Sequence, residues 1–235
     1  MEPKVKIIKY ALMPDHLHIL LFVTEPIEDT LGRVIARFKN AVNKAAGTKS
    51  VFAKGFNDQI LKRSRSLDTL IDYLSDNPRR LAVRRAHPEY FRRVSHMEIE
   101  GMPLRGYGNF ELLGNPFKIP VVVHRADSNE IRQKKRAEWL YVAANGGVLV
   151  SPFISAAEKA IRNEADALGG RFIHITNRPI EERFKPSGHD FELCEEGRLL
   201  IVSIPGIDDS VTRQLCLAMN RLAEEICKME RNNAR

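Results

Sequence analysis

His16 and His18 stand two residues apart in the stretch VKIIKYALMPDHLHILLFV, Val5 to Val23. Side chains alternate faces along a strand, so both imidazoles point one way and Leu17 points the other. Two imidazoles on one face supply two-thirds of a metal site. The plain alternative is a pair that merely flanks a turn, the usual meaning of an arbitrary H-x-H. Here apolar neighbours on both sides bury the strand, and two buried imidazoles without a task would be costly. A second pair, Tyr73 and Asn77, lies in LDTLIDYLSDNP, Leu67 to Pro78. Residues four apart share a helix face, so the phenol and the carboxamide can address one site. Tyr73 by itself would read as a partly buried core tyrosine.

The elements around these residues follow from periodicity. Two apolar runs flank Met13-Pro14-Asp15, which predicts two strands joined by a tight turn. From Ile27 to Ala46 the residues Leu31, Val34, Ile35, Phe38 and Val42 recur at steps of three and four, the mark of an amphipathic helix that stops at Gly47. Arg33, Arg37, Lys39 and Lys44 decorate it. A short strand is expected over Phe56 to Leu61, with Lys62 and Arg63 at its exit. Ser66 is a suitable N-cap for the next helix, and Asp68 complements its dipole. Pro78 disfavours helical geometry at Asn77, which puts the Tyr73–Asn77 pair on the last turn. Arg79, Arg80, Arg84, Arg85, Arg92 and Arg93 follow, interleaved with Leu81, Val83, Tyr90 and Phe91. Such a run is either a solvated face or a set of phosphate contacts.

The motif M-P-D-H-L-H-I-L-L, with Phe56-Asn57-Asp58 and the Tyr73 to Pro78 segment, resembles the single-tyrosine HUH transposases, including their REP-associated branch. The resemblance runs from about Val5 to Phe91. It implies a ferredoxin-like α+β domain that cleaves and rejoins DNA strands through a 5′-phosphotyrosine. Tyr73 would be the nucleophile, His16 and His18 would hold Mg²⁺ or Mn²⁺, and Asn77 would be a third ligand. Single-stranded, hairpin-forming DNA would be the partner, with Arg37, Lys39, Lys62, Arg63, Arg79, Arg80, Arg84 and Arg85 as candidate phosphate contacts. In the family a strand and a helix precede the histidine strand pair, whereas only Met1 to Lys4 precede it here. The expected domain therefore lacks its first strand and helix, which leaves two inner sheet edges for a homodimer to cover.

Gly101, Pro103, Gly106, Gly108, Gly114 and Pro116 mark residues 94–117 as a linker between a domain at 1–93 and another at 118–235. The second half alternates short apolar runs with helical patterns. Runs at Ile119 to Val123, Val148 to Val150, Phe172 to Thr176 and Leu199 to Ile204 alternate with helices at Asn129 to Ala144, Ser155 to Leu168 and Ser210 to Met229. That order predicts a parallel sheet covered on both faces. Through Gly146 to Pro152 ahead of the Ser155 helix, this half distantly resembles the Rossmann-type domain of DNA-processing proteins. Glu182, Arg183, Lys185 and Pro186 read as a surface loop. So do Ser187 to Asp190, because a Ser–His–Asp relay needs side chains that converge from separate places.

Composition narrows the classes. The longest apolar run, Ile19 to Val23, is far below the roughly 18–20 residues that span a bilayer. Three widely spaced cysteines, Cys194, Cys216 and Cys227, form neither a metal spacing nor a disulfide framework, as expected of a cytoplasmic chain. Residues 1–100 hold 18 Lys and Arg against 12 Asp and Glu, while residues 101–235 hold 19 against 18. The basic excess sits in the half that carries the histidines, which suits a polyphosphate partner. Three functions follow: a metal-dependent transposase, a nucleic-acid-binding remnant of one that no longer cleaves, or a nucleotide-metabolising enzyme whose chemistry lies after Gly108.

Overall fold

A computed structural model describes residues 3–61, 65–124, 126–204 and 212–229. The chain forms two compact units, Met1–Val83 and Arg84–Arg235.

In the first unit, β1 (Val5–Leu12) pairs antiparallel with β2 (Leu17–Val23), opposing Ala11 to His18 and Leu12 to Leu17. A register shift between Ile7 and Lys9 marks a bulge in β1. Helix α1 (Leu31–Ala45) starts on Thr30, whose hydroxyl accepts from the Arg33 amide. Helix α2 (Arg65–Ala86) carries Pro78 inside it. The small core joins Ala11 and Leu20 of the hairpin to Leu74 of α2, with Leu70 and Ile71 packed against them.

Several sequence expectations for this unit change. Residues 56–61 form no strand, so the sheet has two strands among the described residues, and a ferredoxin-like sheet is not what the structure holds there. Pro78 does not end its helix, which continues to Ala86. The proline removes one backbone donor, but the apolar stripe at Leu70, Ile71 and Leu74 anchors the helix before it, and Leu81 and Val83 continue the pattern after it. Ser66, Lys62 and Arg63 have side chains outside the described residues.

The second unit is α/β, built on a six-stranded mixed sheet of order β3-β4-β8-β7-β6-β5. Strands β5 (Lys118–Pro120), β6 (Val148–Ser151), β7 (Arg171–Thr176) and β8 (Leu199–Ser203) are parallel. Helices α3 (Asn129–Ala144), α4 (Ala156–Ala167) and α5 (His189–Glu195) connect them. Each crossover steps to the adjacent strand in the same direction, so right-handed connections put α3, α4 and α5 on one face. Helix α6 (Arg213–Lys228) covers the other, where Leu215, Met219, Leu222 and Ile226 meet Val150, Ile173, Ile175 and Val202.

The stretch expected to be a linker is part of this sheet. β3 (Arg92–Ile99) and β4 (Met102–Gly108) form a hairpin, and β4 pairs antiparallel with β8. Two of the glycines that read as linker punctuation, Gly106 and Gly108, have packing reasons instead. At Gly108 (φ +127°) a Cβ would lie 2.3 Å from the Leu199 carbonyl oxygen, and at Gly106 one would lie 2.5 Å from the Phe110 ring. The missing side chain at Gly108 lets β4 approach β8, and that at Gly106 makes room for Phe110. The domain boundary moves accordingly, from 94–117 to Val83. His189 and Asp190, read as a loop, begin α5.

Candidate functional site

The β1–β2 turn positions the histidines. The Met13 amide donates to the His16 carbonyl across 2.9 Å and closes the turn around Pro14 and Asp15. Asp15 then lies beside His16, with its carboxylate 2.7 Å from His16 Nδ1. Both groups are largely exposed, against the burial that the apolar neighbours predict, because the turn leaves His16 at the edge of the hairpin. The contact therefore adds little stability. Its consequence is chemical. In the neutral ring, an Nδ1–H donated to the carboxylate leaves the lone pair on Nε2.

That Nε2 lies 3.0 Å from Nε2 of His18, and the two rings meet edge to face with centroids 4.6 Å apart. Two ligands about 2.1 Å from one cation and at right angles to each other would be roughly 3 Å apart. Without a cation, that tautomer of His16 would accept a hydrogen bond at Nε2 from His18 Nε2–H. A cation would take the place of that proton, with both lone pairs turned onto it.

Helix α2 brings Tyr73 to this pair. Its ring meets the His18 ring edge-on, centroids 6.5 Å apart, and the residue is 42% exposed. A phenol that is both held and accessible suits a nucleophile that must meet a large substrate. The Arg80 guanidinium carbon lies 5.9 Å from the Tyr73 ring centre, and Arg80 is only 8% exposed. Asp76 lies 4.0 Å from Arg80 and 2.5 Å from Nε of Arg79. The hydrogen bond from Arg79 holds the Asp76 carboxyl below its ordinary range, against a smaller effect of burial. Arg80, singled out in the sequence as a phosphate contact, thus packs against Tyr73 and steadies its ring.

Asn77 is 7% exposed, one turn after Tyr73, and its Nδ2 is buried with no hydrogen-bond partner among the described residues. An orphaned buried amide group calls for an explanation. Turned over, the amide would present its oxygen at that position, an acceptor that a cation or a water would satisfy. Among the described residues, no group of three or more His, Cys, Asp or Glu is arranged around a common point for a metal.

The other basic candidates divide. Arg37 pairs with Asp29 at 2.8 Å. Lys39 donates to the backbone carbonyls of Ala53 and Gly55. Arg84 is half-buried and Arg85 exposed, both beyond the end of the first unit.

The second unit holds its own titratable groups. His174 on β7 is pushed down to about 4, chiefly by burial and then by Arg162. Burial pushes the thiols of Cys194 and Cys227 up to about 12, which keeps them from acting as nucleophiles. His189 commits both ring nitrogens to carboxylates, Glu192 at 2.7 Å and Asp166, while Asp190 pairs with Arg162 at 2.5 Å. No relay forms among Ser187, His189 and Asp190.

No family model matches the chain, and no curated protein matches it. Among solved structures the chain is similar to DNA processing protein A from Helicobacter pylori, described for its mode of binding single-stranded DNA. The identity is 21% and the TM-score 0.38, over 53% of this chain and 56% of that one. The chain spans about half the length of that protein. A likeness of that degree decides nothing about chemistry, which has to come from the side chains. No described helix is long and apolar enough to cross a membrane.

Proposed function

We propose that the first unit is a metal-dependent, single-tyrosine transposase module acting on single-stranded DNA. The observation that carries this reading is the His16–His18 pair, with Nε2 atoms 3.0 Å apart and the accessible Tyr73 ring against His18. The charge supports it, since residues 1–83 hold 14 Lys and Arg against nine Asp and Glu.

His16 and His18 would hold Mg²⁺ or Mn²⁺, with the Asn77 amide oxygen as a third ligand. Such a cation neutralises a scissile phosphate and so favours attack on it. Asp15 keeps the His16 lone pair facing His18. Arg80 and His18 both contact the Tyr73 ring and steady it. The Tyr73 phenol oxygen bonds to phosphorus as its proton leaves, the bond from phosphorus to the 3′ oxygen breaks, and that oxygen is released as a hydroxyl. The 5′ phosphate stays on Tyr73, so rejoining needs no nucleotide cofactor.

The test is denaturant-resistant trapping of a 3′-labelled, hairpin-flanked single strand with Mn²⁺. The expected adduct forms with the wild type and is absent from Tyr73→Phe, which retains non-covalent binding. An adduct that persists in Tyr73→Phe overturns the assignment. The two-stranded β1–β2 sheet favours a second reading, a module that binds single strands without cleaving them. Binding without any adduct under these conditions would select it.

A further inference from the structure

The first unit carries a groove of about 350 Å³ between α1 and the segment that follows it, lined among others by Gly32, Asn40, Asn43, Phe52, Lys54 and Phe56. The segment is strapped to the helix. Lys39 Nζ donates to the Ala53 carbonyl at 2.8 Å and also to Gly55. The Val51 amide donates to Asn43 Oδ1 at 2.8 Å, and Asn43 Nδ2 donates to the Lys49 carbonyl at 3.2 Å. These bonds preform the groove, and its size lies at the low end for small-ligand sites.

Two features of the lining have no role in the fold. Gly32 lies in the first turn of α1, where glycine is less favourable than alanine by about 1 kcal/mol. Its φ is not positive, and a Cβ would meet Thr30 Oγ1 at 3.8 Å and Phe56 Cε1 at 3.9 Å, both ordinary contacts. Backbone and packing would accept a side chain, and the glycine leaves room in the groove. Phe56 is 45% exposed beside that room, whereas Phe52 rests on Phe38 with ring centroids 6.0 Å apart. An aromatic face left open in a basic unit fits a planar, anion-linked ligand. Lys54 is exposed at the groove and Lys39 adds its charge to the wall. Asn40 brings a carboxamide, which offers both donor and acceptor to the edge of a base.

We propose that this groove receives an unpaired nucleobase of single-stranded DNA, stacked on Phe56, with Lys54 near the backbone phosphate. The proposal rests on the single-stranded-DNA reading above and adds a base-dependent contact to it. Stacking of this kind changes affinity by about 5-fold to 150-fold per base.

The test compares an intact oligonucleotide with an abasic one of equal length, bound by the full chain at fixed low salt. The intact strand should bind at least about fivefold tighter. Phe56→Ala and Gly32→Leu should each bring the intact strand to the abasic level and leave abasic affinity unchanged. Gly32→Leu fills the groove while improving helix propensity, so it remains informative if Phe56→Ala fails to fold. Equal affinity for the two strands, or binding that ignores Gly32→Leu, overturns the groove assignment and leaves the single-strand reading standing. If neither oligonucleotide binds, both readings are overturned.

Discussion

At the scale of single residues, the site depends on which nitrogen of each imidazole carries a proton, and a neighbouring carboxylate decides that for His16. The Asp15–His16 contact is too exposed to stabilise the fold appreciably. Its loss should therefore register in metal binding and not in unfolding. We expect Asp15→Ala to weaken Mn²⁺ binding by about 10- to 100-fold, the usual effect of losing a partner that orients a ligand. The melting temperature should stay unchanged. Calorimetric titration with Mn²⁺ beside a thermal scan measures both, and equal metal affinity in the variant would remove Asp15 from the site. The sequence exposes His16 and His18 through their spacing, and Tyr73 and Asn77 through theirs. It hides Asp15, which reads as turn punctuation, and Arg80, which reads as one more member of a basic run. Both roles come from local geometry that residue type does not announce, the turn setting the Asp15 carboxylate against its neighbour His16 and Arg80 lying near a ring seven residues earlier on its helix.

At the scale of elements, α2 is the unexpected feature, because it continues through Pro78. A proline inside a helix is less favourable than alanine by about 3 kcal/mol. We expect Pro78→Ala to stabilise the first unit by about 1–3 kcal/mol, read from chemical unfolding followed by circular dichroism. No gain would mean that the helix breaks there after all. In the second unit, His189 ties α5 to α4 beside the Arg162–Asp190 ion pair, and Arg198 carries the network to the start of β8. His189 faces Glu192 and Asp166, and Arg198 bridges Asp166 at 2.9 Å and Glu196 at 2.6 Å. The hydrogen bonds to Glu192 and then to Asp166 raise the His189 pKa, slightly opposed by burial. A folded pKa above the unfolded value means that the charged imidazole stabilises fully below the unfolded value. That contribution is lost as pH rises through the folded one. The stability difference between the wild type and His189→Gln should therefore shrink as pH rises past about 6.5. Urea unfolding monitored at Trp139 across that range measures it, and a constant difference would contradict the ion-pair account. The parallel strands and α3, α4 and α6 were legible because each pairs a clear apolar period with caps or turns. Strands β3 and β4 were not, because their glycines serve close packing against β8 and Phe110, and packing of that kind leaves the same signature as a flexible linker. α5 is only seven residues long and starts on Gly188, with no side-chain cap to announce it.

At the scale of the whole chain, the two units have very unequal cores. Among the described residues, the first unit buries only a few apolar side chains, Val5, Ala11, Met13, Leu20, Val34 and Leu74, and its sheet has two strands. A two-stranded sheet is at best marginally stable alone, and three or more strands or a packed helix are needed to hold it. The second unit buries the alternate faces of its central strands against helices on both sides, with Leu149, Phe172, Ile173, Leu199 and Leu200 fully inaccessible. Separate cores of such different size should unfold separately. We expect two thermal transitions by circular dichroism and only the higher one by the fluorescence of Trp139, the chain's single tryptophan, which lies in the second unit. This imbalance bears on catalysis, since a nucleophile and its metal must be held to about half an ångström. It also makes the location of the metal measurable without any cleavage. Mn²⁺ at a hundredfold excess over its dissociation constant stabilises the unit that binds it by about 2.7 kcal/mol. If His16 and His18 hold the ion, the lower transition rises and the Trp139 transition does not move, and the double variant His16→Ala/His18→Ala loses the shift. A rise in the Trp139 transition would place the metal in the second unit and remove the histidine pair from the mechanism.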